Sequence, residues 1–132
     1  MTVSFPVPPE VAFDYLVDPA NRAQWQSSLR RVEEIDGEPR VGQTWVDVTV
    51  PGLRPQMRTT VYDRARRWSE TGTWRGVRAD LTLVFSPTAS GCEVEVDFRI
   101  HALGPVGRLL TRVSAAPVRA DLRSAARILA AR

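Results

Sequence analysis

Hydrophobic and polar positions alternate along most of this chain, and the places where the alternation stops mark its elements. Val3, Phe5 and Val7 share one face of a first strand over Thr2 to Val7, which Pro8-Pro9 ends. The spacing then changes to that of a helix. Pro8 and Pro9 suit its first turn and Glu10 complements its dipole, while Val11, Phe13, Tyr15, Leu16 and Val17 contain its apolar set. Asp18-Pro19 closes this helix and caps a second, short one that runs through Asn21, Arg22 and Gln24 to Trp25. From Leu29 the period returns to two. Six strands are predicted: Leu29 to Ile35, Gln43 to Val50, Gln56 to Asp63, Trp68 to Trp74, Val77 to Phe85 and Cys92 to His101. Gly- and Pro-containing turns, or the arginine-rich turn Arg64 to Arg67, separate most of them.

The last element, Leu103 to Arg132, reads as one long amphipathic helix opened by Gly104-Pro105. Pro117 lies inside it and should kink or split it. Val106, Leu109, Leu110 and Val113 form one apolar stripe, whereas Val118, Leu122, Ala125 and Leu129 form another in a different phase. In the last two strands Leu81, Leu83 and Phe85 face the same side as Val94, Val96, Phe98 and Ile100, and the intervening charged residues face water. The helix is the only element large enough to cover that apolar face. The expected architecture is α+β: a curved antiparallel sheet of seven strands, two short helices after the first strand, and a long C-terminal helix. A cavity is expected between sheet and helix. The part before Pro117, with Leu110 and Val113, is expected to line it, and the part after to seal against the sheet.

Composition narrows the class. At 132 residues the chain suits one domain, 1–132, and no apolar run reaches the roughly 18 residues of a membrane span. Its N-terminus carries no secretion-signal pattern, and a cytoplasmic location is expected. Every basic side chain is arginine and the net charge is +3, concentrated in the last helix. No aromatics interleave with those arginines, so they read as a solvated face and no nucleic-acid partner is expected. The one cysteine, Cys92, reads as a small core residue.

Little reactive chemistry is visible. One histidine, His101, is too few for a metal centre, and parity places it on the face opposite Cys92, which rules out a nucleophile and base pair. There is no phosphate loop or dinucleotide fingerprint, and no cofactor is expected. The polar candidates lie in the strands. Glu70 shares a face with Trp68 and Trp74; if that face is inward, Glu70 is an acid among aromatics with a raised pKa. If it is outward, Glu70 is an ordinary surface acid. Met57, Thr59 and Val61 form a second wall and Asp47, between Trp45 and Thr49, offers a third, but Asp47 is expected to face water because Val46, Val48 and Val50 make the better core set. Trp25, Trp45, Trp68 and Trp74 either line the pocket or fill the core.

The run from Phe5 to Trp25, with its Pro8-Pro9-Glu10-Val11 helix start, Asp18-Pro19 break and Trp25, resembles the opening of the SRPBCC superfamily (START-like, polyketide cyclase/dehydrase type proteins). Val41-Gly42-Gln43-Thr44-Trp45, the Arg64 to Trp68 hairpin and the terminal helix extend the resemblance over the whole chain. It implies a helix-grip fold with a deep apolar cavity, and it carries over no catalytic residue. The function expected is binding of a hydrophobic small molecule, such as a lipid, polyketide or aromatic metabolite, by a monomer or homodimer. The alternative is a cyclase, aromatase or dehydratase that uses the same cavity. The expected lining is Trp25, Met57, Thr59, Val61, Trp68, Glu70, Trp74, Leu83, Phe98, Leu110 and Val113, and under the enzyme reading Glu70, Thr59 and Tyr62 are the residues to test.

Overall fold

The computed structural model describes residues 1–102 and 106–132, with side chains given for all of these except 106–116. Strand β1 (Thr2–Phe5) leads into helix α1 (Pro9–Val17), a 3-10 turn (Pro19–Asn21) and helix α2 (Arg22–Trp25). Strands β2 (Leu29–Glu33), β3 (Thr44–Thr49), β4 (Gln56–Asp63), β5 (Arg67–Trp74), β6 (Val77–Thr88) and β7 (Gly91–His101) follow, and helix α3 (Val106–Ala130) comes last. All seven strands form one antiparallel sheet in the order β1-β7-β6-β5-β4-β3-β2, so only β1 pairs out of chain order. This is the helix-grip arrangement expected from the sequence.

Local chemistry accounts for the boundaries. Pro8 caps α1 with Pro9 in its first turn, and the Asp18 carboxylate accepts the Ala20 N–H at 3.0 Å to start the next turn. Between β5 and β6 the two turn residues Arg75 and Gly76 both have positive φ, 46° and 78°, the tight hairpin geometry that matches strand twist. Strand β6 runs past Ser86-Pro87, where the sequence suggested a turn. Beyond Val84 it has β7 but no β5 residue beside it, and a proline is tolerated at such an edge.

Two features of the sheet change the expected assignment of faces. A bulge at Thr60 sets Thr59 opposite Glu70 but Val61 opposite Ser69. One extra residue reverses the alternation, so Thr59 is 1 % exposed while Val61, expected beside it, lines a shallow surface depression with Thr60, Ser69 and Thr82. In β3 both Asp47 and Val48 are buried, and Val50 is exposed. Asp47 therefore does not face water as expected.

The core forms where α1 and the C-terminal part of α3 meet the sheet. Phe13 packs edge-on against Tyr62 and Phe85, and Leu122, Ala125 and Leu129 are buried against the apolar face that Val3, Phe5, Val94 and Val96 help to build. Val11, in contrast, is exposed, so the buried stripe of α1 is carried by Ala12, Phe13, Tyr15, Leu16 and Val17. Helix α3 is one unbroken element through Pro117 and is not split there.

Candidate functional site

The polar centre of the molecule is Arg22, in a helix of four residues. Its phase, three residues from Pro19 and three from Trp25, puts it on the buried side with both, and it is 2 % exposed. A guanidinium there must be paired, and it is paired twice. One edge of the fork donates to Asp47 on β3, Nε to Oδ1 at 3.2 Å and Nη2 to Oδ2 at 2.9 Å. The adjacent edge donates to Glu70 on β5, Nη1 to Oε2 at 2.8 Å and Nη2 to Oε1 at 3.3 Å. The Trp45 indole N–H donates to Asp47 Oδ1 at 3.0 Å, and the guanidinium carbon lies 5.1 Å from the Trp45 ring centroid. One helix and two strands are thus joined by a single planar cation.

The two acids are unequally served. Asp47 accepts three N–H groups, whereas Glu70 accepts two, both from Arg22. Burial pushes the Glu70 carboxyl above the ordinary range; Arg22 pulls it back and the neighbouring Asp47 adds to the rise, with the balance upward. Burial works against the Arg22 charge, but Glu70 and Asp47 more than offset that and hold it firmly protonated.

Beside this triad a cavity opens in two adjoining lobes. The helix-side lobe, roughly 290 Å³, lies among Trp25, Ser27, Pro117, Val118, Asp121 and Leu122. The sheet-side lobe, roughly 260 Å³, reaches Arg22, Asp47, Met57, Gly72 and Trp74. Glu70, Gln26, Ser28, Leu81 and Phe98 border both lobes. At the mouth, Asp121 Oδ1 accepts from Ser27 N at 3.2 Å and from Ser27 Oγ at 2.8 Å, tying α3 to the segment after α2.

Of the residues expected to line the cavity, Trp25, Met57, Glu70, Trp74 and Phe98 border one or both lobes. Thr59 is buried directly across the ladder from Glu70, its hydroxyl without a partner among the described residues, but it borders neither lobe. Trp68 and Leu83 are fully buried in the core and also border neither. Val61 is turned away by the bulge, and Tyr62 packs on Phe13 instead of beside Glu70. The side chains of Leu110 and Val113 lie outside the described residues. Pro117, Val118 and Leu122 border the helix-side lobe, so the part of α3 after the proline lines the cavity as well as sealing the core. His101 is exposed, with Nε2 3.0 Å from Asp80 Oδ2 on the sheet's outer face, and Cys92 is buried.

Arg22 is not among the site residues expected from the sequence, and Asp47, expected to face water, is buried. The available signals were the spacing of Arg22 from Trp25 and the parity of Asp47 with Trp45 rather than with the valines.

A curved antiparallel sheet wrapped on a terminal helix, with a partly polar cavity between them, defines a helix-grip protein. The chain belongs to the family described as polyketide cyclase / dehydrase and lipid transport, whose model matches residues 1–132. Its fold is similar to that of protein MLL2253 from Mesorhizobium loti, at 16 % identity over 98 % of this chain and 93 % of that one, with a TM-score of 0.79. Ara h 8.0201 matches at a TM-score of 0.80 and 14 % identity, over 100 % of this chain and 96 % of that one. DynU16, a protein of the dynemicin biosynthetic locus, matches at 0.70 and 18 %, over 98 % of this chain and 45 % of its own. None of the curated proteins matches the sequence. Among the described residues no helix is long and apolar enough to cross a membrane.

Proposed function

We propose that the protein binds an apolar small molecule, such as a lipid, polyketide or aromatic metabolite, in the two-lobed cavity between its sheet and α3. The observation that carries this reading is the lining itself: Trp25, Leu81, Phe98, Val118 and Leu122 offer apolar surface, with one buried acid, Glu70, at the junction of the lobes. The family description, which joins polyketide processing with lipid transport, supports the same class of ligand. Trp25 borders the helix-side lobe and Trp74 the sheet-side lobe, so titration of apolar alcohols and flat aromatic compounds should change tryptophan fluorescence saturably, and Trp25→Phe with Trp74→Phe should remove most of that change. A flat response to every compound, with calorimetry equally silent, would overturn the reading.

A second reading is favoured by one observation. Glu70 is buried, raised in pKa and open to both lobes, which is the setting of a carboxylic acid that moves a proton in a cyclisation or dehydration. Tyr62 has no place in it, and Thr59 acts only behind Glu70. Under this reading Glu70→Gln retains binding of a polyketide-type substrate but loses its turnover; unchanged turnover would rule it out.

A further inference from the structure

We infer that the cavity selects apolar molecules presenting a hydrogen-bond donor to Glu70, a protonated amine ahead of a hydroxyl, and turns away molecules that end in a carboxylate. The inference rests on the binding reading above and adds the chemistry of the ligand's polar end.

The charges that border the lobes carry it. Among the described residues, Arg22 is the only cation there, facing three acids, Asp47, Glu70 and Asp121. Four of the five Arg22 N–H groups are already given to Asp47 and Glu70, so little donor capacity is left for an incoming anion. Asp47 is turned inward on three donors. A carboxylate has about four acceptor positions, and Glu70 fills two, with no donor other than Arg22 among the described residues. Its free acceptor positions belong to the one acid that borders both lobes.

An alkyl or aryl chain seated against Leu81, Phe98 and Leu122 brings its head group to that carboxylate. There an ammonium neutralises the surplus negative charge, a hydroxyl donates one bond, and a carboxylate meets like charge in a poorly solvated place. The acids thus set specificity while the apolar walls supply most of the affinity.

Three probes with the same chain separate these cases: decylammonium, decanol and decanoate, titrated by calorimetry at neutral pH into the whole chain. Decylammonium should bind at least about tenfold more tightly than decanoate, with decanol between. Glu70→Gln should bring the two charged probes to within about threefold of each other and leave decanol nearly unchanged. Asp121→Asn can still accept the Ser27 bonds and sits at the mouth, so it should narrow the ratio in the same direction without disturbing the buried triad. Decanol binding together with decanoate at least as tight as decylammonium would overturn the inference and leave the binding reading intact. So would a ratio unmoved by both variants. Failure of all three probes to bind would overturn the binding reading itself.

Discussion

Replacing Arg22 by Met removes one cation and strands two buried carboxylates. The side chains of Arg22, Asp47 and Glu70 are 3 %, 6 % and 6 % exposed, so the loss belongs to the range of broken interior pairs, about 3–5 kcal/mol, and not to that of surface pairs. Against a total stability of about 5–15 kcal/mol for a domain of this kind, that is a large fraction. Urea unfolding followed by tryptophan fluorescence measures it. The deficit should depend on pH. With no guanidinium beside it, the Glu70 carboxyl holds its proton still more readily in the folded than in the unfolded chain. The folded state then binds more protons, stability falls as pH rises, and Arg22→Met loses less at pH 4 than at pH 7.5. Adding Asp47→Asn and Glu70→Gln removes the stranded charges and should recover about half of the loss or more. Arg64 and Asp14 supply the control: their pairing has the same two-bond geometry, at 3.1 and 2.7 Å, but both are exposed, and Arg64→Met should leave the unfolding midpoint where it is. A loss below about 1 kcal/mol for Arg22→Met, the same at both pH values, would refute this account of the triad.

Other consequences are separately measurable. In the wild type the raised Glu70 carboxyl takes up its proton more readily when folded; its contribution is greatest in acid and declines as pH rises above the ordinary value of 4.5, so the stability margin over Glu70→Gln should shrink between pH 4 and 8. A Cβ on Gly72 would lie 2.7 Å from Met57 Sδ, the end of a flexible side chain that borders the sheet-side lobe; Gly72→Ala should weaken ligand binding severalfold while costing less than about 1 kcal/mol of stability. A Cβ on Gly91 would come within 2.1 Å of the Phe5 carbonyl oxygen, so Gly91→Ala must push β1 off β7 and should cost about 2 kcal/mol or more in the same unfolding assay. Burial pushes the Cys92 thiol up to about 11, so the native protein should resist a thiol reagent at pH 8 and react once urea unfolds it.

The fold was legible because its signals are local. Alternation in β6 and β7, glycine and proline at the turns, and the Pro9 and Asp18 helix starts each act within a few residues. The candidate site was legible only in part, because its organising contacts span 25 and 48 residues of sequence. Periodicity assigns faces one strand at a time and favours apolar sets, so it points to the valines of β3 over Asp47, which lies inward with Trp45 and is paired there by Arg22 and the Trp45 N–H. It also assumes an unbroken ladder. A single extra residue at Thr60 was enough to carry Val61 out of the wall to which Met57 and Thr59 were assigned. Glu70 was found because it sits between two tryptophans of one strand, and its partner was missed because a charged residue in a four-residue helix carries almost no periodic signal.

The central claim, that the cavity holds an apolar body with its polar end on Glu70, is tested most directly by a crystal structure of the protein soaked with decylammonium. The account predicts the nitrogen within hydrogen-bond distance of the Glu70 carboxylate and the chain lying between Phe98 and Leu122. Density for the chain elsewhere on the surface, or for the head group pointing out past Asp121 with Glu70 untouched, would contradict it.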